Sequence, residues 1–332
     1  MIKPAESHEL YAALEEVFRK PVLELRRNRL ACSSTFTIEE LEVTIDGRPI
    51  KVIFKNLSRN AIVSSAAGVK PEFLYAPMRE VNVYRRIHPL LEMDTAQLYG
   101  LVVDQFIGRY WLFLGNVAAP ELYQFGNIEV WIKAARWLAG LHASHASDPE
   151  SARSVAPQLL KHDVVYYQTW FQRALSFLGC AMEPIESCYN DAIDYLLRLP
   201  RTLIHGEFYA SNVLVKKWGT NIRICPIDWE MAAVASGILD VAALASGNWS
   251  RSQRLSIAKA WYDSLPERLR PPDLVTAFDC AQLQISVQWL GWSDRWRPPR
   301  QQSHDWLDEA LRICSSESLL NLKSAEDRFA RS

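Results

Sequence analysis

Across residues 35–57 apolar and polar positions alternate: Leu41, Val43 and Ile45 are separated by polar neighbours, Asp46-Gly47 interrupts the run, and a β-rich stretch resumes at Ile50. A period of two broken by an Asp-Gly step predicts two antiparallel strands joined by a tight hairpin. Residues 64–77, with Ser, Gly and Pro, read as a loop. Over 78–91 the period changes, placing Tyr84, Ile87 and Leu91 on one helical face, with Pro89 disturbing the end. Residues 98–103 and 110–114 form two more apolar, aromatic runs, and the pattern breaks over 115–120, where the lobe boundary is expected.

Beyond the break the spacing turns helical. Val130, Ala134, Trp137, Leu138 and Leu141 share a face, and 166–178, 192–199, 258–265 and 277–290 follow the same rule. The prediction is an antiparallel-sheet lobe over 1–115 with one key helix, and a larger, mainly helical lobe over 116–332. No internal repeat or low-complexity tract is apparent.

Composition narrows the class. At 332 residues and 49% hydrophobic the chain can bury two cores or one large one. Its 37 basic and 38 acidic residues leave a net charge of -1, so no overall field favours nucleic acid or an anionic membrane. The six cysteines form no CxxC pair, which argues against zinc and against a disulfide framework. No stretch reads as a signal peptide or membrane span, and a cytoplasmic location is expected.

The chemistry concentrates in Leu203-Ile204-His205-Gly206-Glu207-Phe208-Tyr209-Ala210-Ser211-Asn212-Val213-Leu214-Val215, a polar loop between apolar runs. Glu207 and Asn212 are five positions apart. Phosphoryl transfer needs a carboxylate at the attacking hydroxyl and oxygen ligands on magnesium, and kinase catalytic loops place Asp and Asn at this separation. Such residues also serve turns and caps. The next segment is more specific: 213–215 and 222–224 flank Trp218-Gly219-Thr220-Asn221 as a hairpin, returning Pro226-Ile227-Asp228-Trp229-Glu230 beside the loop. One Asn carbonyl and the Asp228 carboxylate suit magnesium, a hard ion that keeps phosphate oxygens as further ligands.

Upstream, Lys55 closes the run Val52-Ile53-Phe54, and Glu80 lies in line with Tyr84, Ile87 and Leu91. A half-buried carboxylate without a cation is costly, so Lys55 is its natural partner, and the pair would position nucleotide phosphates. The competing reading leaves both side chains in solvent.

His205-Gly206-Glu207 with Asn212, then Ile227-Asp228-Trp229-Glu230, then Gly237 and Asp240, resembles the signature of the aminoglycoside phosphotransferase family. The resemblance runs from the Lys55 strand through Glu80, the hinge at 114–117 and the helix at 138–142 to about residue 245. It implies an α+β, two-lobed, protein-kinase-like fold and a small-molecule kinase using ATP or GTP with Mg2+. Its partners would be a nucleoside triphosphate and a hydroxylated small molecule. By resemblance Glu207, Asn212 and Asp228 are catalytic, with Asn212 and Asp228 on the metal. Lys55 and Glu80 organise the triphosphate, and Leu114, Asn116 and Val117 form the nucleotide hinge. His205 and Asp240 brace the loop, Asp240 as a helix N-cap.

Two departures stand out. The family usually has Asp where Glu207 stands, and the extra methylene shifts the carboxylate. No GxGxxG occurs between the first strands; Ser33, Ser34 and Thr35 stand there, as phosphate donors or as a plain polar turn. For the acceptor, Gln284, Gln288, Trp289, Trp292, Asp294, Arg295, Trp296, Arg297 and Arg300 combine aromatic and polar groups suited to a sugar or ring. Of these, Gln288, Trp292, Asp294 and Trp296 are the candidate contacts, although core packing explains the tryptophans equally well. After Val241 basic residues at least match acidic ones, which tells against a polycationic acceptor. The alternative is a catalytically impaired, pseudokinase-like nucleotide-binding module. A protein kinase is disfavoured by the missing glycines and by Gly206 where an HRD-type arginine would stand.

Overall fold

The computed structural model describes residues 6–322 apart from 31–34, 65, 91–92, 145–151, 155, 220 and 294–303. The chain opens with α1 (Ser7–Phe18) and β1 (Val22–Arg29), followed by β2 (Ile38–Ile45) and β3 (Arg48–Asn56). The expected hairpin joins β2 to β3, and both Asp46 (φ 50°) and Gly47 (φ 71°) take the left-handed conformation that a two-residue turn requires. With β4 (Leu98–Asp104) and β5 (Arg109–Gly115) these strands form one antiparallel sheet in the order β1-β2-β3-β5-β4.

Period-two alternation gives the sheet two different faces. Leu41, Val43, Val52, Phe54 and Phe113 bury against Leu10, Ala13 and Leu14 of α1. The opposite face sends Leu112 and Leu114 into the main core, together with Val81, Tyr84 and Ile87. The helix expected over 78–91 is α2 (Pro77–Asn82), running into a π-helical stretch over Val83–Ile87 and a 3-10 turn over His88–Leu90. Pro89 has no N–H to continue an α-helical ladder, which accounts for the change of winding.

The remainder is largely helical: α3 (Ile128–Ser144), α4 (Val164–Leu178), α5 (Glu183–Arg198), α6 (Ile238–Leu244), α7 (Arg251–Ser264), α8 (Leu274–Leu290) and α9 (Trp306–Cys314). Two small sheets interrupt it. β6 (Leu160–Lys161), β7 (Arg201–Ile204) and β10 (Ala233–Ser236) pair in the order β6-β10-β7, and β8 (Val213–Trp218) with β9 (Asn221–Pro226) makes the expected hairpin. Every residue of α8 from Thr276 to Gln288 is buried, so this helix is the axis around which the others pack. Its buried Asp279 is met by a two-pronged contact from Arg251, each bond 2.8 Å. Among the described residues no helix is long and apolar enough to cross a membrane.

α1, β1 and α9 were not read from the sequence, and α5 and α7 begin seven to nine residues before the apolar positions that signalled them. α5 opens with Ile185 and Tyr189 buried among exposed Glu183, Pro184 and Glu186, and α7 opens with exposed Arg251 and Ser252, so their first turns carry few apolar positions to mark them.

Candidate active site

Because Phe54 faces α1, its neighbour Lys55 faces the other way, into the cleft beneath the sheet. The buried Lys55 ammonium meets both oxygens of Glu80, at 2.7 and 2.8 Å, and Oδ1 of Asp228 at 2.8 Å. Glu80 lies in the first turn of α2, almost wholly buried, and also accepts the backbone N–H of Trp229 at 3.3 Å. The inward-facing acid on the helix therefore has the expected cation. Asp228 holds φ at 66°, an unusual conformation for a residue with a side chain, and its carboxylate closes the ion pair across the cleft.

The catalytic-loop candidate leaves β7 at His205 and enters β8 at Val213. Asn212 sits where the β8-β9 ladder continues: Val213 pairs with Pro226, and the Ile227 N–H donates to the Asn212 carbonyl at 2.9 Å. Hairpin register thus brings Asn212 beside the Ile227-Asp228 step. The Asn212 amide donates to the Glu207 carbonyl at 3.0 Å, fixing the width of the loop and leaving its own side-chain oxygen unbonded among the described residues. The half-buried Glu207 carboxylate likewise receives no hydrogen bond among them.

His205 and Asp240 brace this loop. His205 Nε2 lies 2.9 Å from the Ile227 carbonyl and its Nδ1 accepts the Glu207 N–H at 3.3 Å, so the ring is neutral with its proton on Nε2. Burial lowers its pKa, against the pull of Asp240. Asp240 accepts the N–H groups of His205 and Gly206 at 2.7 and 2.8 Å and contacts His142 Nε2 at 3.3 Å; the other His142 nitrogen accepts from Trp261 at 2.9 Å. Asp240 is not the N-cap the sequence suggested. Gly237 occupies that position, and the fully buried Asp240 turns inward from the first helical turn. A side chain at 237 would meet His142 Nδ1 at 2.4 Å, so that contact requires glycine.

The cleft is rich in carboxylates. Burial opposes the charge on Lys55, but Asp228 and Glu80 more than offset it and hold its pKa above the usual value. Burial likewise opposes ionisation of Asp228, and Lys55 with Lys70 overcomes that, lowering its pKa. Glu207 goes the other way: burial first, then Glu230 and Asp228, push it up to about 8.

Two contributors were missed in the sequence. Lys70, in the loop over 64–77, pairs with Glu230 Oε2, and the other oxygen of Glu230 accepts the Thr35 hydroxyl at 3.1 Å. Arg79 is buried against three carbonyls, those of Gln158 (2.8 Å), Leu74 (3.1 Å) and Glu230. The available signal was a single lysine within the otherwise apolar run Ala66-Ala67-Gly68-Val69 and Pro71.

The hinge and acceptor candidates have the following surroundings. Leu114 is buried in the sheet, and the Asn116 side chain is engaged locally, donating to Glu40 and accepting the Ala118 N–H at 2.7 Å. Val117 packs against the core. Gln288 is buried and accepts from the Tyr166 hydroxyl at 3.5 Å, while Trp292 stacks on Trp170 with ring centres 5.7 Å apart. Ser33, Ser34, Asp294 and Trp296, with Arg295, Arg297 and Arg300, lie outside the described residues.

Residues 73–272 match the APH phosphotransferase enzyme family. The chain belongs to that family. It is a phosphotransferase acting on a hydroxyl acceptor, with the kinase-like fold expected from its signature. Solved structures agree on the fold. A GDP complex of aminoglycoside 2'-phosphotransferase-IIIa superposes with TM-score 0.59 at 14% identity, covering 95% of this chain and 99% of the other. A choline/ethanolamine kinase family protein from Mesorhizobium loti gives 0.58 at 14%, covering 96% and 98%. Spectinomycin phosphotransferase with ADP and spectinomycin gives 0.54 at 12%, covering 98% and 99%. No curated protein matches the chain.

Proposed function

We propose that this phosphotransferase moves the γ-phosphate of ATP or GTP to a hydroxyl of a metabolite, sugar-like compound or natural product. Residues 1–115 would hold the nucleotide, and 116–332 the catalytic loop, metal site and acceptor. The observation that carries this reading is the Lys55 ammonium joined at once to Glu80 and Asp228, with Asn212 beside Asp228 across the hairpin.

The donor set fits magnesium. Among the described residues no group of three or more His, Cys, Asp or Glu side chains could hold a metal. One carboxylate and one unbonded amide oxygen leave room for phosphate ligands, as magnesium prefers. When bound there it would neutralise phosphate charge.

In the transfer itself, the acceptor oxygen forms a bond to the γ-phosphorus while the bond from that phosphorus to the bridging oxygen breaks, and the nucleoside diphosphate leaves with the electron pair. The acceptor proton passes to Glu207. A carboxyl pushed up to about 8 is a stronger base than an ordinary glutamate, which suits it to this role. The loop fixed by His205, Asp240 and the Asn212 amide holds that carboxylate free of hydrogen bonds from the described residues, and Lys55 orients the phosphates.

The test is magnesium-dependent formation of ADP or GDP against a panel of hydroxylated small molecules. Stimulation by one acceptor, lost in Asp228→Ala, supports the reading. Nucleotide binding that no acceptor converts into turnover would select a binding module instead.

A further inference from the structure

The two lysines of the cleft differ in what their ammonium groups have left to offer. Lys55 uses its three donors on Glu80 Oε1, Glu80 Oε2 and Asp228 Oδ1. Lys70 has one hydrogen-bond partner among the described residues, Glu230 Oε2, yet its side chain is only 7% exposed. A sequestered ammonium with two donors open among the described residues is an unfinished anion site. Its other near neighbour is the ring of Phe36, 5.4 Å away, which favours the charge without filling a hydrogen bond.

The surroundings place that ammonium beside the segment that carries Asp228. Glu230 follows Asp228 by two residues, and its second oxygen holds Thr35, the first described residue after 31–34. The loop of Lys70 is fixed at two further points: Phe73 packs edge-on against Trp170 at 5.4 Å, and the Leu74 carbonyl accepts Arg79 at 3.1 Å.

We propose that Lys70 is a second phosphate-binding cation, which leaves Glu230 to hydrogen-bond the γ-phosphate. Glu230 is then the parking site of the ammonium in the nucleotide-free cleft. The arrangement resolves a difficulty of the Lys55 cluster, whose ammonium has no donor free while Glu80 and Asp228 both hold it. The transferring phosphoryl group carries charge on three equatorial oxygens, and a cation there stabilises the transition state. This proposal rests on the phosphotransfer reading of the cleft.

Binding of Mg·ADP and of the Mg complex of the β,γ-imido analogue of ATP, measured by calorimetry, tests it. In Lys70→Met, which keeps the buried stem, affinity for the analogue should fall about tenfold or more while affinity for ADP changes less than about twofold. Lys70→Arg should recover part of the loss. Should Lys70→Met not fold, Lys70→Gln carries the same expectation. Equal losses for both nucleotides in a folded variant, or no loss for either, would overturn the role of Lys70. Tight binding of both nucleotides by the unmodified protein with an unchanged ratio in the variant refutes Lys70 alone. Failure of the unmodified protein to bind either nucleotide or their guanine counterparts removes the phosphotransfer reading, and the proposal with it.

Discussion

The Asp240 carboxylate accepts the backbone N–H of His205 at 2.7 Å, across 35 residues of sequence and with no exposure to solvent. With its second oxygen on Gly206, it pins the start of the catalytic loop from a helix that does not itself enter the cleft.

Asp240→Ala leaves two backbone donors without their acceptor, each costing about 1–3 kcal/mol when buried. The variant should lose about 3 kcal/mol in urea unfolding, and Asp240→Asn, which keeps one acceptor, should lose less. A change within about 0.5 kcal/mol for Asp240→Ala would contradict the bracing role.

Gly206 combines φ of 86° with a backbone neighbour so close that an added Cβ would stand 2.1 Å from the Met231 carbonyl oxygen. Gly206→Ala should therefore cost about 3 kcal/mol or more and abolish turnover. Gly219→Ala, at φ 60° with nothing within 4 Å, is the control and should cost only about 1 kcal/mol. Matching melting temperatures for the two variants would count against the tight loop.

Removing Glu80 leaves the buried Lys55 charge with Asp228 as its remaining partner among the described residues. Glu80→Ala is therefore expected to destabilise by about 2–3 kcal/mol, less than the loss of a lone counter-ion. The double variant Lys55→Met/Glu80→Leu should regain only part of that stability, because it leaves Asp228 without its cation, and should stay inactive, because an apolar pair can fill the space without orienting phosphate. Stability and turnover recovering together would show that the pair serves the fold alone.

If Glu207 is the base, it acts deprotonated. A carboxyl raised to about 8 makes kcat/KM rise with pH through that region, where an ordinary glutamate would give a flat profile from about pH 6 upward. Magnesium-dependent ATP hydrolysis, with water in the acceptor's place, supplies the rate. Glu207→Gln should lower it by about 10² to 10⁴ and remove the pH dependence. A wild-type profile flat between about pH 6 and 9 would exclude the assignment.

Much of this site was legible in the residues. Spacing between Glu207, Asn212 and Asp228 identified the loop and hairpin, since both are local structures set by turn residues and strand alternation. The inward stripe of α2 required a cation for Glu80, and the next strand upstream supplied Lys55. Lys70 and Arg79 were not legible, because their partners Glu230 and Gln158 lie 160 and 79 residues away and no periodicity links them.

Residue order alone set the elements and the chemistry available to them, because strand alternation, helical spacing and turn chemistry act between near neighbours. Packing in three dimensions settled which charges meet. Asp240 became a loop brace rather than a helix cap, the amide of Asn116 turned to Glu40, and two lysines came to face one set of carboxylates. Such outcomes depend on how whole elements pack, and the cost of burying an unpaired charge then selects the partners that packing brings within reach.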